Sequence, residues 1–194
     1  MLLFDAIASN DDNAGLLEGE TLGRFMRIGI VVNPDAGLGG RLGFKGSDGR
    51  AAEARAAGAV DRAGPRMHQT LEALKTLISI SLNRSNLGLE CLGWKGRMGD
   101  TWIPMPSEKM FFTHIGETPD ETSVTETSQL VTALIEAGAE AILYAGGDGT
   151  TRDIANTLAS ITKPEKIIAG SVIGELKGKP LSTFRLKGKQ NSFR

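Results

Sequence analysis

The chain has 194 residues, 40% of them hydrophobic and 23% charged, which fits a globular protein of one domain, or one domain and part of another. It lacks any run near the roughly 18 apolar residues of a membrane span, and MLLFDAIASNDD is no secretion signal, so the cytoplasm is the expected compartment and no membrane partner is expected. One cysteine, Cys91, excludes a disulfide framework, and two histidines, His68 and His114, are too few for a thiol and imidazole zinc cluster.

Residues 1–25 are acidic and weakly periodic and read as an N-terminal extension, disordered or loosely helical. The first strand is RIGIVV, Arg27–Val32, and a glycine-rich stretch follows it. In GPRMHQTLEALKTLISI, Met67, Leu71, Leu74, Leu77 and Ile78 recur at helical spacing, which predicts a helix with one face on a sheet. A short strand near LGLECLGW, a turn at KGRMGD and another strand around KMFFTHIG come next. Ser123–Glu126 (SVTE) fits a capping box, and Leu130, Val131, Leu134 and Ile135 continue that helix to a stop at Gly138. AEAILYA is an almost unbroken apolar run, as expected of a strand covered on both faces. Alternation of this kind predicts an α/β domain over residues 26–162, a parallel sheet with crossover helices.

Residues 163–194 differ in character. One short strand is predicted at Lys166–Ala169, and little periodicity follows. The segment holds eight Lys or Arg against two Glu, a balance of +6 that leaves −7 for residues 1–162. It reads as a divergent basic tail. Only Phe184 and Phe193 accompany the charge, so stacking on bases is poorly provided for and a nucleic-acid partner is not expected.

The stretch with most chemical content is LYAGGDGTTRDIANTL, residues 143–158, where three glycines and an aspartate stand between a buried strand and a helix. Open α/β sheets gather ligands at such strand ends. Gly146, Gly147 and Gly149 would permit positive φ and close approach to bare amides, and the helix start adds about half a positive charge. TTRD, Thr150–Asp153, is a second capping pattern, with Ile154, Ala155, Leu158 and Ile161 as the packed face. Asp148 conflicts with a plain anion cradle: a carboxylate about 4 Å from a phosphate oxygen is repelled by roughly 4 kcal/mol at an effective dielectric of about 20. The conflict disappears if a divalent cation intervenes, or if Asp148 accepts a hydroxyl proton during phosphoryl transfer. A purely structural role, capping the helix or closing an Asx turn, stays open at this point.

The loop after the first strand, VVNPDAGLGGRLGFKGSDG, carries Gly37, Gly39, Gly40, Gly43, Gly46 and Gly49, with Arg41 and Lys45 among them. It aligns with no P-loop, and Leu42 stands where the dinucleotide fingerprint needs its third glycine. Two glycine-rich loops after two strands of one parallel sheet converge on one crevice, where Arg41 and Lys45 would bring positive charge to phosphates opposite Asp148.

NPDAGLGGRLGFKGSDG together with AGGDGTTRDIANTL resembles the ATP-NAD kinase family, in particular its predicted polyphosphate/ATP-NAD kinase branch. RMHQTLEALKTL, the turn GRMGD and the threonine-rich ETSVTET also look like that branch's order of elements, and the resemblance covers roughly Arg27 to Leu158. GGDGT alone is shared with diacylglycerol and sphingosine kinases. The resemblance implies a Rossmann-like α/β N-terminal domain of the NAD kinase/diacylglycerol kinase type, followed in the family by a β-rich second domain. It implies transfer of a phosphoryl group from ATP or polyphosphate, with Mg²⁺, to the 2'-hydroxyl of NAD to give NADP. Carried over by position, Gly146, Gly147, Gly149 and Thr150 would line the phosphates, and Asp148 would face the accepting hydroxyl as the catalytic residue. Asn33, Gly37 and Gly40 would lie on the facing side. Arg41 and Lys45 are assigned to the cofactor-binding set from charge and position alone, and no residue is assigned as a metal ligand.

The roughly 30 residues after Lys163 are too few for the family's β-rich domain, so the chain reads as a kinase N-terminal domain with that second domain missing, expected to bind nucleotide without turnover and to self-associate through exposed apolar surface. Two other readings remain at this stage: a lipid kinase domain of the diacylglycerol type, and a non-catalytic nucleotide- or phosphate-binding module.

Overall fold

The computed structural model describes residues 24–38, 51–80, 87–161, 168–171 and 183–185. Residues 1–23 of the expected extension lie outside these, as does most of the expected tail. The described elements are strands β1 (Phe25–Val32), β2 (Gly88–Lys95), β3 (Met110–Glu117), β4 (Ala141–Ala145), β5 (Ile168–Ser171) and β6 (Thr183–Arg185), with helices α1 (Ala51–Ala56), α2 (Ala63–Ile80), α3 (Val124–Glu136) and α4 (Asp148–Ser160). A short 3-10 turn, Asp100–Trp102, precedes β3.

The strands form one sheet in the order β3-β2-β1-β4-β5-β6, with every pairing parallel except the antiparallel one of β5 with β6. This is the α/β, Rossmann-like parallel sheet that the alternating pattern predicts. Strand alternation then divides the core. Ile28, Ile30 and Val32 of β1, with Leu143 and Ala145 of β4, pack against Met67, Leu71 and Ile78 of α2. Val31, Ile142 and Tyr144 face the opposite way, onto Leu130, Val131 and Leu134 of α3 and Ile154 and Leu158 of α4. Central strands apolar on both faces read as continuous runs, as RIGIVV and AEAILYA do.

Leu77, placed by spacing on the inner stripe of α2, is 47% exposed, because the stripe drifts off the sheet near the helix end while Ile78 stays buried. β5 is described over Ile168–Ser171 where the pattern predicts Lys166–Ala169, of which residues 166 and 167 lie outside the described residues, and β6 escapes the pattern altogether. Both are short and gain their hydrogen bonds from a neighbouring strand, which a single-strand pattern does not record.

The capping box is present. Ser123 Oγ accepts from Thr125 N at 3.1 Å, and Glu126 Oε2 accepts from Ser123 N at 2.6 Å. Hydrogen bonding to Ser123 holds the Glu126 carboxyl below its ordinary range. At the other end Gly138 takes φ +81°, which stops the helix where the sequence places the stop. Replacing Ser123 with Ala is expected to destabilise the protein by about 1 kcal/mol in chemical denaturation, without changing the slope of the transition.

Candidate functional site at the strand ends

The strand order reverses between β1 and β4, since the chain leaves β1 toward β2 and β3 and returns to β4 on the other side. At such a point the connections after neighbouring strands turn in opposite directions and leave a crevice at the carboxyl ends. Asn33 follows β1 and Gly146 follows β4, so the start of the first loop, residues 33–38, meets the GGDGT turn here; residues 39–50 of that loop lie outside the described residues.

Asn33 joins them through its backbone N–H and its side-chain amide nitrogen. Its amide donates to Ala145 O at 2.8 Å, its Oδ1 accepts from Asp35 N at 3.0 Å in an Asx turn, and its Nδ2 donates to Thr150 Oγ1 at 2.8 Å. Thr150 is 4% exposed, so the hydroxyl needs this partner. The turn Pro34–Leu38 is then fixed from outside. Arg55 Nη2 donates to Asp35 Oδ1 at 2.7 Å and to Pro34 O at 3.3 Å, and also pairs with Asp61 at 3.4 Å. Burial works against the charge of Arg55, but the two carboxylates outweigh it and raise its pKa. Thr122, just before α3, reaches Asp35 Oδ2 at 3.5 Å. Gly37 closes the turn with φ +80°, a conformation that strains any residue with a Cβ.

The GGDGTT turn departs from expectation in two respects. None of Gly146, Gly147 and Gly149 has positive φ. Gly146 is required for space instead, because a Cβ there would lie 2.4 Å from the Thr150 side chain; at Gly147 and Gly149 a Cβ would meet nothing within 4 Å. Their backbone therefore faces open space, which leaves room for a ligand to approach. The TTRD capping pattern is also corrected: α4 begins at Asp148, its N-cap is Gly147 in extended conformation, and no side chain caps it. Both threonines lie inside the helix. Thr150 is taken by Asn33, and Thr151 Oγ1 donates back to Gly147 O at 3.1 Å while accepting from Tyr144 Oη at 2.9 Å. The α4 ladder opens with Thr151 N donating to Gly147 O at 3.0 Å, so the preceding amides have no acceptor within the helix.

Asp148 is exposed, and among the described residues no hydrogen bond or ion pair engages its carboxylate. It neither caps the helix nor closes an Asx turn, which removes the structural alternative left open above. The arrangement is a free carboxylate beside uncapped amides at a helix start. Of the other expected site residues, Gly40, Arg41 and Lys45 lie outside the described residues. Sequence reasoning missed Tyr144, Thr151 and Arg55. Tyr144, the sole tyrosine of the chain, carried a signal: a fully buried phenol two residues before a turn needs a partner for its hydroxyl.

The β2–β3 connection supports the same edge. Val32 N donates to Met98 O at 2.9 Å, and Met98 N to Thr118 Oγ1 at 3.2 Å. Asp100 fixes this connection by accepting from Gly96 N at 2.6 Å and pairing with His114 Nε2 at 2.7 Å. Burial alone would raise the Asp100 pKa, but the His114 hydrogen bond, the Gly96 amide and the charges of His114 and Lys95 hold it below 3.8. Cys91 of β2 lies in the core, where burial, with a smaller effect of Glu90, pushes its thiol up to about 12. Among the described residues no helix is long and apolar enough to cross a membrane.

The family model for the ATP-NAD kinase N-terminal domain matches residues 28–167, a span that holds Asn33, Gly37, the GGDGT turn and α4. No curated protein and no solved structure matches the chain.

Two outcomes follow from this geometry. Asn33→Ala leaves the buried Thr150 hydroxyl and the Asp35 amide without their partners and is expected to cost about 2 kcal/mol in urea denaturation. Asp100→Asn should destabilise the protein by about 1–2 kcal/mol at pH 6. A carboxyl whose folded pKa is depressed stabilises above its ordinary pKa and loses that contribution as pH falls through the folded value, so the gap from wild type should narrow between pH 5 and about pH 3.

Proposed function

The chain belongs to the ATP-NAD kinase family, and from that membership we propose that it is an NAD kinase-like phosphotransferase that moves a phosphoryl group from ATP or polyphosphate to the 2'-hydroxyl of NAD. The observation that carries this reading is Asp148, an exposed carboxylate with no partner among the described residues, set beside the uncapped amides of α4 where the strand order reverses. Phosphoryl transfer needs both kinds of group. Amides and a helix start hold the equatorial oxygens of the moving phosphoryl group, and a carboxylate accepts the proton of the attacking hydroxyl.

In this reading Gly147 and Gly149 admit the phosphates because no side chain fills the space above them. Asn33 and Thr150, hydrogen-bonded to each other, set the distance between the two segments that would face the ligand, and with Gly146 they complete its binding set. Gly37 shapes the facing turn. Among the described residues no three His, Cys, Asp or Glu gather into a metal cage, and a lone carboxylate such as Asp148 suits a Mg²⁺ that arrives on the donor's phosphates. When bound, that ion would neutralise charge on the phosphates and remove the repulsion from Asp148.

The test is NADP formation from NAD with ATP or polyphosphate, measured beside NAD binding; NADP formation by these 194 residues would overturn the expectation of binding without turnover. Asp148→Asn removes the base but little volume, and should lower kcat by about 10²–10⁴-fold with NAD affinity within about twofold of wild type. Unchanged NADP formation in the variant, or phosphorylation of a lipid with NAD untouched, would overturn the proposal.

A further inference from the structure

Arg62 is a charge at this edge that the site as described leaves unused. It stands one residue before α2 and is half-buried, and its Cδ passes 3.8 Å from where a Cβ on Gly37 would sit. Its stem therefore lies across the turn that follows β1. The acidic side chains of that region are already taken, since Asp35 and Asp61 both pair with Arg55. Among the described residues no hydrogen bond or ion pair engages the Arg62 guanidinium. A cation drawn partly out of water without a counter-charge is costly, and its fork of donors matches phosphate oxygens.

The position is as informative as the charge. The turn beneath Arg62 begins at Asn33, whose side chain is hydrogen-bonded to the first turn of α4. Arg62 thus stands on one side of that bond and the uncapped amides of α4 on the other. A ligand reaching both must carry negative charge along its length. We infer that Arg62 is a binding residue for the condensed phosphate chain of the donor, the triphosphate of ATP or an inorganic polyphosphate, whose other end lies at the start of α4. This inference rests on the phosphotransferase reading and adds to it a cationic contact from the α2 side of the sheet. Arg66 carries the same charge one helical turn further along α2, away from the strand ends, and serves as the control.

Isothermal titration of the whole chain with tripolyphosphate, with ATP and with NAD, at one fixed salt concentration, tests it. Arg62→Gln should weaken binding of whichever condensed phosphates the wild type binds by about tenfold or more, and Arg62→Lys by less, because it keeps the charge and loses the fork. Arg66→Gln should change it by less than about twofold, and NAD affinity should be the same in every variant, with circular dichroism confirming that each is folded. Binding of ATP without tripolyphosphate, or the reverse, identifies the source of the chain. Wild-type affinity for condensed phosphate in Arg62→Gln, or an equal loss in Arg66→Gln, would overturn the inference and leave the phosphotransferase reading intact. A wild type that binds NAD but neither phosphate also overturns it; one that binds none of the three removes both.

Discussion

The strand-end edge depends on one part-buried hydrogen bond, from Asn33 Nδ2 to Thr150 Oγ1. Two chain segments more than a hundred residues apart must end at the same height above the sheet for it to form. It forms because β1 and β4 are paired in register to their last residues, Val32 beside Ala145, and because Asn33 N continues that ladder to Ala145 O. An amide donor that failed to meet the buried hydroxyl would leave both unsatisfied, so the bond selects one spacing of the two segments and disfavours others. Gly146 belongs to the same constraint, as any side chain there would collide with Thr150.

Around that bond the charges are sorted into paired and free. Asp35 is held by Arg55 and Thr122, Asp100 by Gly96 and His114, and Glu126 by the start of its own helix. These carboxylates fix turns. Asp148 has the same chemistry and no such partner among the described residues, which makes it available for a ligand. An exposed carboxylate held on the first residue of a helix whose face packs in the core has the arrangement expected of a reactive group on a rigid support. The support itself is ordinary: two apolar clusters, one on each face of the sheet, pack β1 and β4 side by side.

Much of this was legible in advance because periodicity is a local property. The stripe Met67, Leu71 and Ile78, the capping box at Ser123 and Glu126, the stop at Gly138 and the apolar run of β4 each record one element's surroundings in its own residues. The glycines of GGDGT were legible as a turn and misread in their cause. Positive φ is the usual reason for glycine, yet at Gly146 the reason is a threonine four residues on, and at Gly147 and Gly149 neither backbone conformation nor a neighbouring atom requires glycine. Thr150 looked like a cap because Ser and Thr often cap helices; its actual partner, Asn33, stands in another element, as does Tyr144, the partner of Thr151, and no spacing rule connects them.

The sequence by itself determined the alternation of strands and helices, the family and the identity of Asp148 as the residue to explain, since each follows from residue type and short-range spacing. Tertiary structure alone decided that Asn33 and Thr150 bind each other, that Arg55 satisfies Asp35 and Asp61 together, and that Asp148 has no partner among the described residues. Those outcomes depend on which groups long-range pairing brings within about 3 Å, and hydrogen bonds and ion pairs are too short-ranged to be read from order along the chain.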